Sequence, residues 1–420
     1  MSFQSIKIYN QLANDDLFKK TINFDLKRIK KVLKKIGNPE RKLQNVINII
    51  GSDGKYSLLT SLKHFLETNK KTVSTYTSPS LKDIRERFWM GKRNLSYKEI
   101  KKTIKFIKNQ KIKLTIFEVL TVIFIIHAAK INRDYNLLEA GALFAKDSTN
   151  LFENPLLQAV VNINKQHLNF LKKKTLDEVI YQKVGFLSNK TKIYIGNQNK
   201  NVKTKIKKYL KNNKSSKIFS NSWKLIKKNK NYFYQEGNFK VEIQNKFIHS
   251  KGLLENVAMA IKIAKDLGIK KKIIKKALPK IKFTGRIDYL RKGKLVKKLQ
   301  KREKLLIDGC HSEVSAKNLA NHLRTLNYPI YGILGMSKNK NPNLFIKQFK
   351  KVFKKLFVVR ITNENSISNQ YLYKIAKDNN IKVFKEKNFL KAIKKITSKE
   401  KKLICIFGSL YLCGEVLNNN

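Results

Sequence analysis

The stretch that most constrains the fold is Val46–Ser57, VINIIGSDGKYS, in which an apolar run gives way to Gly-x-x-Gly-Lys-x-Ser. The continuous branched residues Val46–Ile50 predict a short buried strand of a parallel sheet. Gly51 and Gly54 can take positive φ, which lets backbone N–H groups curl around an anion. Lys55 would neutralise a phosphate, and a following helix would point its positive end at the same place. The pattern predicts a phosphate-binding loop, although only two residues separate the glycines where the common P-loop has four. An ordinary strand–turn–helix corner is the alternative.

Strands alternate with helices around this loop, which is typical of a doubly wound α/β domain. The predicted helices are Lys27–Ile36, Leu58–Glu67, Ser96–Asn109, Leu114–Ala129, Thr175–Val184, Glu255–Leu267 and Lys271–Leu278. The predicted strands are Val46–Ile50, Thr72–Tyr76, Tyr135–Ala140, Ala159–Ile163 and Lys192–Ile195. Residues 200–250 are rich in Lys and Asn with interleaved aromatic residues, and they predict a solvated β excursion.

A composition rich in Gly, Arg and Lys over Phe283–Lys298 predicts a domain link. Beyond it the alternation restarts with the short strands Leu305–Ile307, Ile330–Leu334, Leu356–Val359, Lys382–Phe384 and Leu403–Ile406. We therefore predict a doubly wound α/β domain with a phosphate-binding loop over 1–290 and a smaller α/β domain over 298–420.

The charge balance is extreme, with 91 basic against 29 acidic residues and a formal net charge of +62. Such a charge makes nucleic acid an obvious candidate partner. The lysines run through almost every segment instead of forming one patch, however, and neither zinc-ligand spacing nor an aromatic RNA-binding motif accompanies them. We interpret them as a generic solvated surface and predict no dedicated nucleic-acid partner.

Three cysteines without CxxC spacing, Cys310, Cys405 and Cys413, are typical of a reducing cytosol. The N-terminus lacks the apolar core of a signal peptide, and the longest apolar stretch, Leu120–Ala129, is too short to span a bilayer. We predict a cytoplasmic, monomeric protein that does not bind membranes.

A series of short motifs then appears in a fixed order along the chain. Together they resemble the folylpolyglutamate synthase/dihydrofolate synthase branch of the Mur ligase superfamily, and the resemblance covers nearly the whole chain. They are GSDGKYS (51–57), YTSPSLKDIRERF (76–88), TIFE (115–118), LEAGALFAKDSTN (138–150), Gln166-His167, Gln182–Gly185, Glu255-Asn256, Gly285-Arg286, DGCHS (308–312), GMSKNKN (335–341) and GSLYLCGEVL (408–417).

The resemblance implies a ligase that adds L-glutamate to dihydropteroate or to a reduced folate such as tetrahydrofolate. It also implies that the domain over 1–290 is a P-loop-type, doubly wound N-terminal ATPase domain, and that the domain over 298–420 is a smaller Rossmann-like α/β domain that binds the amino acid. In that family the two α/β domains hold ATP between them, and the γ-phosphoryl group moves to a substrate carboxylate. The amine of glutamate then displaces phosphate from the acyl phosphate. Such a reaction needs positioning, metal ions and cations around the transferred group instead of a protein nucleophile.

The resemblance also implies site residues. Lys55 and the backbone of Asp53, Gly54 and Tyr56 would hold phosphates, and Asn256, Arg286 and Asp308 match further ATP-binding positions. Ser78 and Glu139 would bind one Mg²⁺, and His167 with a carboxylated Lys183 would bind a second, so that Lys55, Glu139, His167 and Lys183 form the catalytic set. The pterin-side substrate would contact Asn23, Phe24, Asp25 and Leu26, Phe117 and Glu118, and Lys146, Asp147 and Ser148. His311 matches a family position near the nucleotide.

Four of these residues also have a purely structural interpretation. Glu139 could be a surface acid, His167 a packed histidine, and Lys183 one more surface lysine. Glu118, on an apolar helix, could be a paired structural acid.

The chain departs from the family pattern near the expected substrate and metals. The family's Gly-Leu-Gly-Gly-Arg is Gly141–Ala145 here, Gln166 replaces an Asp, Gln182 replaces a Glu, and Tyr56 stands where a small residue is usual. These changes predict a diverged member. Two alternatives therefore stay open. One is a paralogue that acts on another acid, and the other is a non-catalytic, basic protein that associates with nucleic acid.

Overall fold

The structure is a computed structural model that describes residues 2–19, 24–229, 231–338, 340–362 and 366–420. The chain divides into two compact units. The large unit comprises Ser2–Lys246 and Glu255–Ile281, and the small unit comprises Phe247–Leu254 and Lys282–Asn420. The assignment of separate roles to 1–290 and 298–420 stays a prediction.

The first part of the chain, through residue 281, alternates strands and helices as predicted. Its helices are α1 (Phe3–Ala13), α2 (Leu26–Lys35), α3 (Lys55–Thr68), α4 (Tyr97–Lys108), α5 (Ile116–Ile131), α6 (Leu176–Val184), α7 (Lys200–Tyr209), α8 (Lys251–Asp266) and α9 (Lys271–Ala277). Its strands are β1 (Phe18–Lys19), β2 (Val46–Ile50), β3 (Val73–Tyr76), β4 (Phe88–Trp89), β5 (Leu114–Thr115), β6 (Tyr135–Glu139), β7 (Leu157–Val160), β8 (Lys192–Ile195), β9 (Ser216–Phe219), β10 (Lys224–Lys228), β11 (Asn231–Glu236) and β12 (Phe239–Glu242).

The main sheet of the large unit has β2 near its centre. In the described residues its strand order is β4-β3-β6-β2-β7-β8-β9, and every pairing is parallel except β3 with β4. Strand β2 is buried along its whole length, as its continuous apolar sequence predicts. Because β6, β2 and β7 are neighbours and parallel, the loops that follow them emerge at one edge of the sheet.

Helix α5 fixes the interior of this unit. Residues Val119–Ile126 of α5 are buried, and they pack in one cluster with residues of α2 and α4, among them Ile29, Val32 and Ile104. The helix begins at a capping box in which Thr115 and Glu118 exchange hydrogen bonds with each other's backbone N–H groups.

Four predictions about these elements are wrong. Helix α8 begins at Lys251 instead of Glu255, because the buried Leu253 and Leu254 lie in its first turn. Helix α3 begins at Lys55 instead of Leu58, since Gly54 caps it directly. Strand β7 ends at Val160 instead of Ile163, because the apolar residues that follow are buried in a loop instead of the sheet. Residues 200–209 form helix α7, whose buried Val202 and Ile206 are one helical turn apart among lysines.

The predicted β excursion is confirmed for 224–242. Strands β10, β11 and β12 form an antiparallel three-stranded sheet. Tyr234 and Val241, opposite each other on β11 and β12, are buried.

The small unit carries its own sheet. Its strands are β13 (Asp288–Leu290), β14 (Glu303–Asp308), β15 (Ile330–Leu334), β16 (Lys355–Val358), β17 (Val383–Lys385) and β18 (Lys402–Phe407), and its helices are α10 (Glu313–Arg324), α11 (Pro342–Lys347), α12 (Asn369–Asp378), α13 (Phe389–Ile396) and α14 (Leu410–Asn419). The strand order is β13-β14-β18-β15-β16-β17 in the described residues, with only β13 antiparallel. The α/β fold class is confirmed, although the stretch predicted as a link contains the edge strand β13.

The segment Phe247–Leu254 belongs to the small unit although it precedes most of that unit by about thirty residues of chain. The ring of His249 lies 5.2 Å from the ring of Tyr289 and 5.1 Å from that of His322. The Tyr289 hydroxyl and the Nε2 atom of His322 are hydrogen-bonded at 2.8 Å. These contacts join the segment to β13 and α10.

Among the described residues, no helix has both the length and the apolar character needed to cross a membrane.

Candidate active site

The loop between β2 and α3 has the backbone shape that its glycines predict. Gly54 is the N-cap of α3 with φ +102°, and Gly51 has φ +146°. A Cβ atom on Gly54 would lie 2.4 Å from Nδ2 of Asn256, and one on Gly51 would lie 2.4 Å from Cγ2 of Val161. Both positions therefore require glycine, for conformation and for space. Gly54 offers no side chain to cap the 14-residue helix α3, and the positive end of this helix points at the loop, where an anion is favoured.

Lys55 folds back over this loop. Its Nζ atom donates to the carbonyl oxygens of Gly51 at 3.2 Å and Ser52 at 3.4 Å. It also lies 4.0 Å from Oε1 of Glu139, whose side chain is 6% exposed. A buried carboxylate and a nearly buried ammonium thus meet beside the positive end of α3.

Glu139 and Ser78 are brought together by neighbouring strands. Glu139 ends β6, and Ser78 follows β3, which pairs with β6. The backbone N–H of Ser78 donates to Oε2 of Glu139 at 3.0 Å. The interpretation of Glu139 as a surface acid is wrong, because only 4% of the residue is exposed.

Lys183 is buried in the same region. Its Nζ atom donates to the carbonyl oxygens of Gly51 at 2.9 Å and Ala142 at 2.6 Å, and the residue is 1% exposed. Burial lowers the pKa of Lys183 to about 7; the charge of Lys55 acts in the same direction, and those of Asp147 and Asp53 oppose it. The interpretation of Lys183 as a surface lysine is therefore wrong.

A second loop, residues 161–167, packs on the phosphate loop. The carboxylate of Asp53 accepts hydrogen bonds from Nδ2 of Asn164 at 2.7 Å and from Nε2 of Gln166 at 3.1 Å. His167 follows with φ +60°, and its ring stacks on Phe170 with 6.1 Å between centroids. The structure thus gives His167 an aromatic neighbour, and its predicted role as a metal ligand stays a prediction.

The predicted metal ligands come together only in part. Within the described ranges, no three His, Cys, Asp or Glu side chains are grouped as a metal site. The Ser78 hydroxyl and the Glu139 carboxylate are oxygen ligands of the kind that Mg²⁺ prefers. Lys183 could join them as a ligand only in its carboxylated, anionic form, because the amine itself carries no oxygen.

Asn256 approaches the phosphate loop from α8. Its Nδ2 atom donates to Oγ of Ser57 at 3.0 Å, and Ser57 in turn donates to the carbonyl of Gly54 at 2.9 Å. The side chain of Asn256 therefore lies against Gly54 and the first turn of α3, as the predicted nucleotide contact requires.

The small unit holds the other predicted nucleotide residues at the end of β14. The carboxylate of Asp308 accepts from the backbone N–H groups of Ile287 and Cys310, both at 2.7 Å. Burial raises the pKa of Asp308, against the opposing charge of Arg286. Nδ1 of His311 lies 2.8 Å from the carbonyl oxygen of Gly309, which orients the imidazole ring.

The predicted substrate residues near α2 have structural contacts. Asn23 lies outside the described residues. Asp25 caps α2 by accepting from the N–H of Lys27 at 2.9 Å, and Leu26 is the first residue of that helix. The ring of Phe24 packs edge-on against Phe170 at 5.5 Å.

Glu118 is held by two kinds of contact. Besides closing the capping box of α5, it binds Arg28, with Nη2 to Oε1 at 3.0 Å and Nε to Oε2 at 3.3 Å. Only 4% of Glu118 is exposed. These contacts account for its burial without a ligand, in agreement with the structural interpretation.

The remaining predicted substrate residues surround the start of the 141–150 loop. Asp147 is buried and accepts from the N–H of Gly141 at 3.1 Å and from Oγ1 of Thr149 at 2.6 Å. Burial raises the pKa of Asp147 to about 6. Ser148 is hydrogen-bonded to Thr121, and Phe117 lies beside Gly141. Lys146 is exposed.

Three contributors were missed by sequence reasoning. Asn164 and Val161 shape the phosphate loop from the facing loop, and Arg28 neutralises Glu118. Each lies ninety or more positions along the chain from the residue that it contacts. On the facing loop, Gln166 was marked by the sequence, because it departs from the family pattern.

The comparisons with known proteins agree with the sequence motifs. The family model described as the C-terminal domain of dihydrofolate synthetase matches residues 291–419. The chain is 23% identical over 436 residues to the dihydrofolate synthetase of Saccharomyces cerevisiae, covering 94% of this chain and 97% of that protein. It is 24% identical over 417 residues to the dihydrofolate synthase/folylpolyglutamate synthase of Buchnera aphidicola, covering 96% and 94%.

Solved structures share the fold. The folylpolyglutamate synthase of Mycobacterium tuberculosis, complexed with ADP and AMPPCP, superposes with a TM-score of 0.85 at 17% identity, covering 99% of this chain and 98% of that one. The bifunctional folylpolyglutamate synthase/dihydrofolate synthase of Yersinia pestis, complexed with AMPPNP and a Mn ion, gives 0.85 at 17% identity, covering 98% and 97%. The chain is thus similar in sequence to dihydrofolate synthases and folylpolyglutamate synthases over nearly its whole length, and it shares the fold of the solved structures.

Proposed function

We propose that the protein is an ATP-dependent ligase of folate biosynthesis that joins L-glutamate to dihydropteroate, to a reduced folate such as tetrahydrofolate, or to both. The observation that carries the proposal is the glycine-capped start of α3 at Gly54, with Lys55 and the buried Glu139 beside it. Relatives named for this activity cover nearly the whole chain.

The phosphate loop fits the phosphates of ATP. Its two glycines leave no room for a Cβ beside Asn256 and Val161 and so fix the shape of the loop, while the positive end of α3 and Lys55 supply positive charge. Lys55 would leave its contacts with Gly51 and Ser52 to bind the transferred phosphoryl group. Asn256, Arg286 and Asp308 are proposed to bind the nucleotide, with Arg286 matched to phosphate oxygens as a planar fork. The acceptor carboxylate would take the γ-phosphoryl group, and the amine of glutamate would then displace phosphate.

We propose Mg²⁺ as the metal, at two positions. Ser78 and Glu139 would hold the first, and His167 with a carboxylated Lys183 would hold the second. Bound metal would neutralise the charge that develops on the transferred phosphoryl group. Lys183 suits carboxylation because its lowered pKa leaves much of the amine neutral at physiological pH, and the neutral amine is the form that adds CO₂.

The acceptor would lie near Phe24–Leu26, Phe117 and Lys146–Ser148. We propose that the protein acts as a monomer in the cytosol, since Cys310, Cys405 and Cys413 are all free and buried.

The test is phosphate release with ATP, Mg²⁺ and L-glutamate, with dihydropteroate or tetrahydrofolate added in turn. We expect release only when glutamate and a pterin acid are both present. Lys55→Ala should lower the rate about a hundredfold or more, because it removes the cation beside the transferred phosphate. Lys63→Ala, on the same helix but paired with Glu67, is the matched control and should leave the rate close to that of the wild type. Release that ignores the pterin acid would contradict the proposal.

A second candidate is a paralogue that acts on another acid. The segment that replaces the family's Gly-Leu-Gly-Gly-Arg is packed as core here, with Leu143 4% exposed and Phe144 fully buried. A loop fixed in this way lacks the arginine and the flexibility of the family's loop near the acceptor. ATP hydrolysis stimulated by a different carboxylic acid, with neither dihydropteroate nor tetrahydrofolate active, would support this candidate.

A further inference from the structure

We propose that Gln166 is a positioning residue, whose side-chain amide holds the Asp53 carboxylate and thereby sets the shape of the phosphate loop and the place of His167. The inference rests on the proposed function only in that it takes the loop to bind nucleotide. It assigns a role to a residue that otherwise counts only as a departure from the family pattern.

The contacts form a closed network. Nε2 of Gln166 donates to Oδ2 of Asp53 at 3.1 Å and to Oδ1 of Asn164 at 2.8 Å, while Nδ2 of Asn164 donates to the same Asp53 oxygen at 2.7 Å. Two amides therefore converge on one carboxylate oxygen. Hydrogen bonds to an ionised group are stronger than those between neutral groups, so this network favours a single position of Asp53.

The backbones of the two loops are joined beside this network. The N–H of Ser52 donates to the carbonyl of Asn162 at 2.7 Å. Oγ of Ser52 donates to the carbonyl of Asn164 at 3.2 Å and accepts from its N–H at 3.1 Å. Gln198 holds the 161–163 stretch in turn, through the carbonyl of Val161 and the N–H of Ile163. The amide network is thus the side-chain part of a rigid attachment.

The charges explain why an amide suits this position. A bound triphosphate would repel a carboxylate in its own binding loop, and the hydrogen bonds from Gln166 and Asn164 hold the Asp53 carboxylate in one direction against this repulsion. A carboxylate at position 166, which the family pattern leads one to expect, would face Asp53 across about 3 Å and repel it. Gln166 is therefore matched to Asp53 of this chain. Because His167 is the next residue, the same contact fixes the backbone that carries the predicted metal ligand.

Charge exchange between the two residues tests the pairing. Gln166→Glu places two carboxylates together, whereas the double variant Asp53→Asn with Gln166→Glu restores an amide–carboxylate pair with the roles reversed. Gln166→Met, neutral and of similar length, removes the amide without adding charge. Gln370→Glu makes the same chemical change at an exposed position of helix α12 and is the matched control.

The first readout is the affinity for ADP with Mg²⁺, measured by calorimetry on the full chain. We expect Gln166→Glu to weaken binding about tenfold or more and Gln166→Met by less, since the first adds repulsion to the lost hydrogen bond. The double variant should return to within about threefold of the wild type, because paired changes at contacting residues are not additive. Gln370→Glu should bind like the wild type.

Further readouts separate positioning from folding and from the proposed function. Melting temperatures of the nucleotide-free variants should differ little, and the rise in KM for ATP should exceed the fall in kcat. Unchanged ADP binding in Gln166→Glu, a double variant no better than the single one, or a loss of affinity that only follows a loss of stability would each overturn the inference. Full glutamate ligation beside any of these results would leave the proposed function standing. The expected ADP pattern without ligation would support the inference and refute the function.

Discussion

The amine of Lys183 is the most heavily buried cation of the candidate site. It bridges two backbone carbonyls, one in the phosphate loop and one in the 141–150 loop. Its pKa is lowered from an ordinary 10.5 to about 7, chiefly because burial disfavours the charged form. The native state therefore binds fewer protons at this residue than the unfolded state does between about pH 7 and pH 10.

From this difference in bound protons we predict how stability changes with pH. Below about pH 7 the buried amine is protonated, and its burial lowers the free energy of unfolding. This destabilisation disappears as pH rises toward the pKa of the amine in the unfolded chain. Lys183→Met keeps an unbranched side chain of similar length and removes the titration. In CO₂-free buffer, the stability of Lys183→Met relative to the wild type should therefore be greater at about pH 6 than at about pH 9.

Urea denaturation at the two pH values measures this difference. Ile180→Met, a buried apolar change on the same helix, is the control and should shift stability equally at both. A Lys183→Met effect that does not depend on pH would contradict the lowered pKa.

At the scale of elements, two helices begin with the same motif in different surroundings. Both α4 and α5 start at a capping box, formed by Ser96 with Glu99 and by Thr115 with Glu118. Glu99 pairs with Arg93, whose side chain is 63% exposed, whereas Glu118 pairs with Arg28, whose side chain is 19% exposed. A matched pair of variants can therefore separate the contribution of the cap from that of the ion pair.

We predict that Glu118→Ala lowers the free energy of unfolding by about 3 kcal/mol, because it leaves the largely buried Arg28 without this partner as well as opening the cap. Glu99→Ala should cost about 1 kcal/mol, since its ion pair is solvated. Chemical denaturation measures both. Glu118→Gln should leave KM for the pterin acid unchanged, and a large rise in KM would instead support the predicted substrate contact.

The same contrast shows what the sequence could predict. Continuous apolar runs located β2, β6 and β8 to within a residue. The family resemblance paired Ser78 with Glu139, and the structure places these two residues at the ends of adjacent strands. The pairing of Gln166 with Asp53 spans 113 positions and involves common polar residues, so no local pattern could reveal it. The burial of Lys183 was equally hidden among 91 basic residues, because lysine content carries no information on which amine is enclosed.

For the molecule as a whole, positive charge is spread over both units. Lys105, Lys207 and Lys272 are exposed in the large unit, and Lys317 and Lys377 are exposed in the small unit. Charge distributed in this way raises the potential everywhere and favours no particular ligand shape.

We therefore predict weak, non-specific binding to DNA that depends steeply on salt. Scattered phosphate contacts release counterions, so affinity for a short duplex should fall at least about tenfold between roughly 50 and 200 mM KCl. Fluorescence anisotropy with two unrelated duplexes measures both the salt slope and the sequence preference. Tight binding at about 200 mM salt, or discrimination between the duplexes, would favour the nucleic-acid-associated alternative.

The grouping of Phe247–Leu254 with residues 282–420 has a consequence for synthesis on the ribosome. His249 leaves the exit tunnel long before Tyr289 and His322, the residues whose rings it meets in the finished protein. At about 5–20 residues per second, translation of residues 255–420 takes roughly ten to thirty seconds. During that interval the segment has been made but its unit has not. The large unit, whose last residue is Ile281, is complete first. Nascent chains should therefore protect the large unit from protease before they protect Phe247–Leu254.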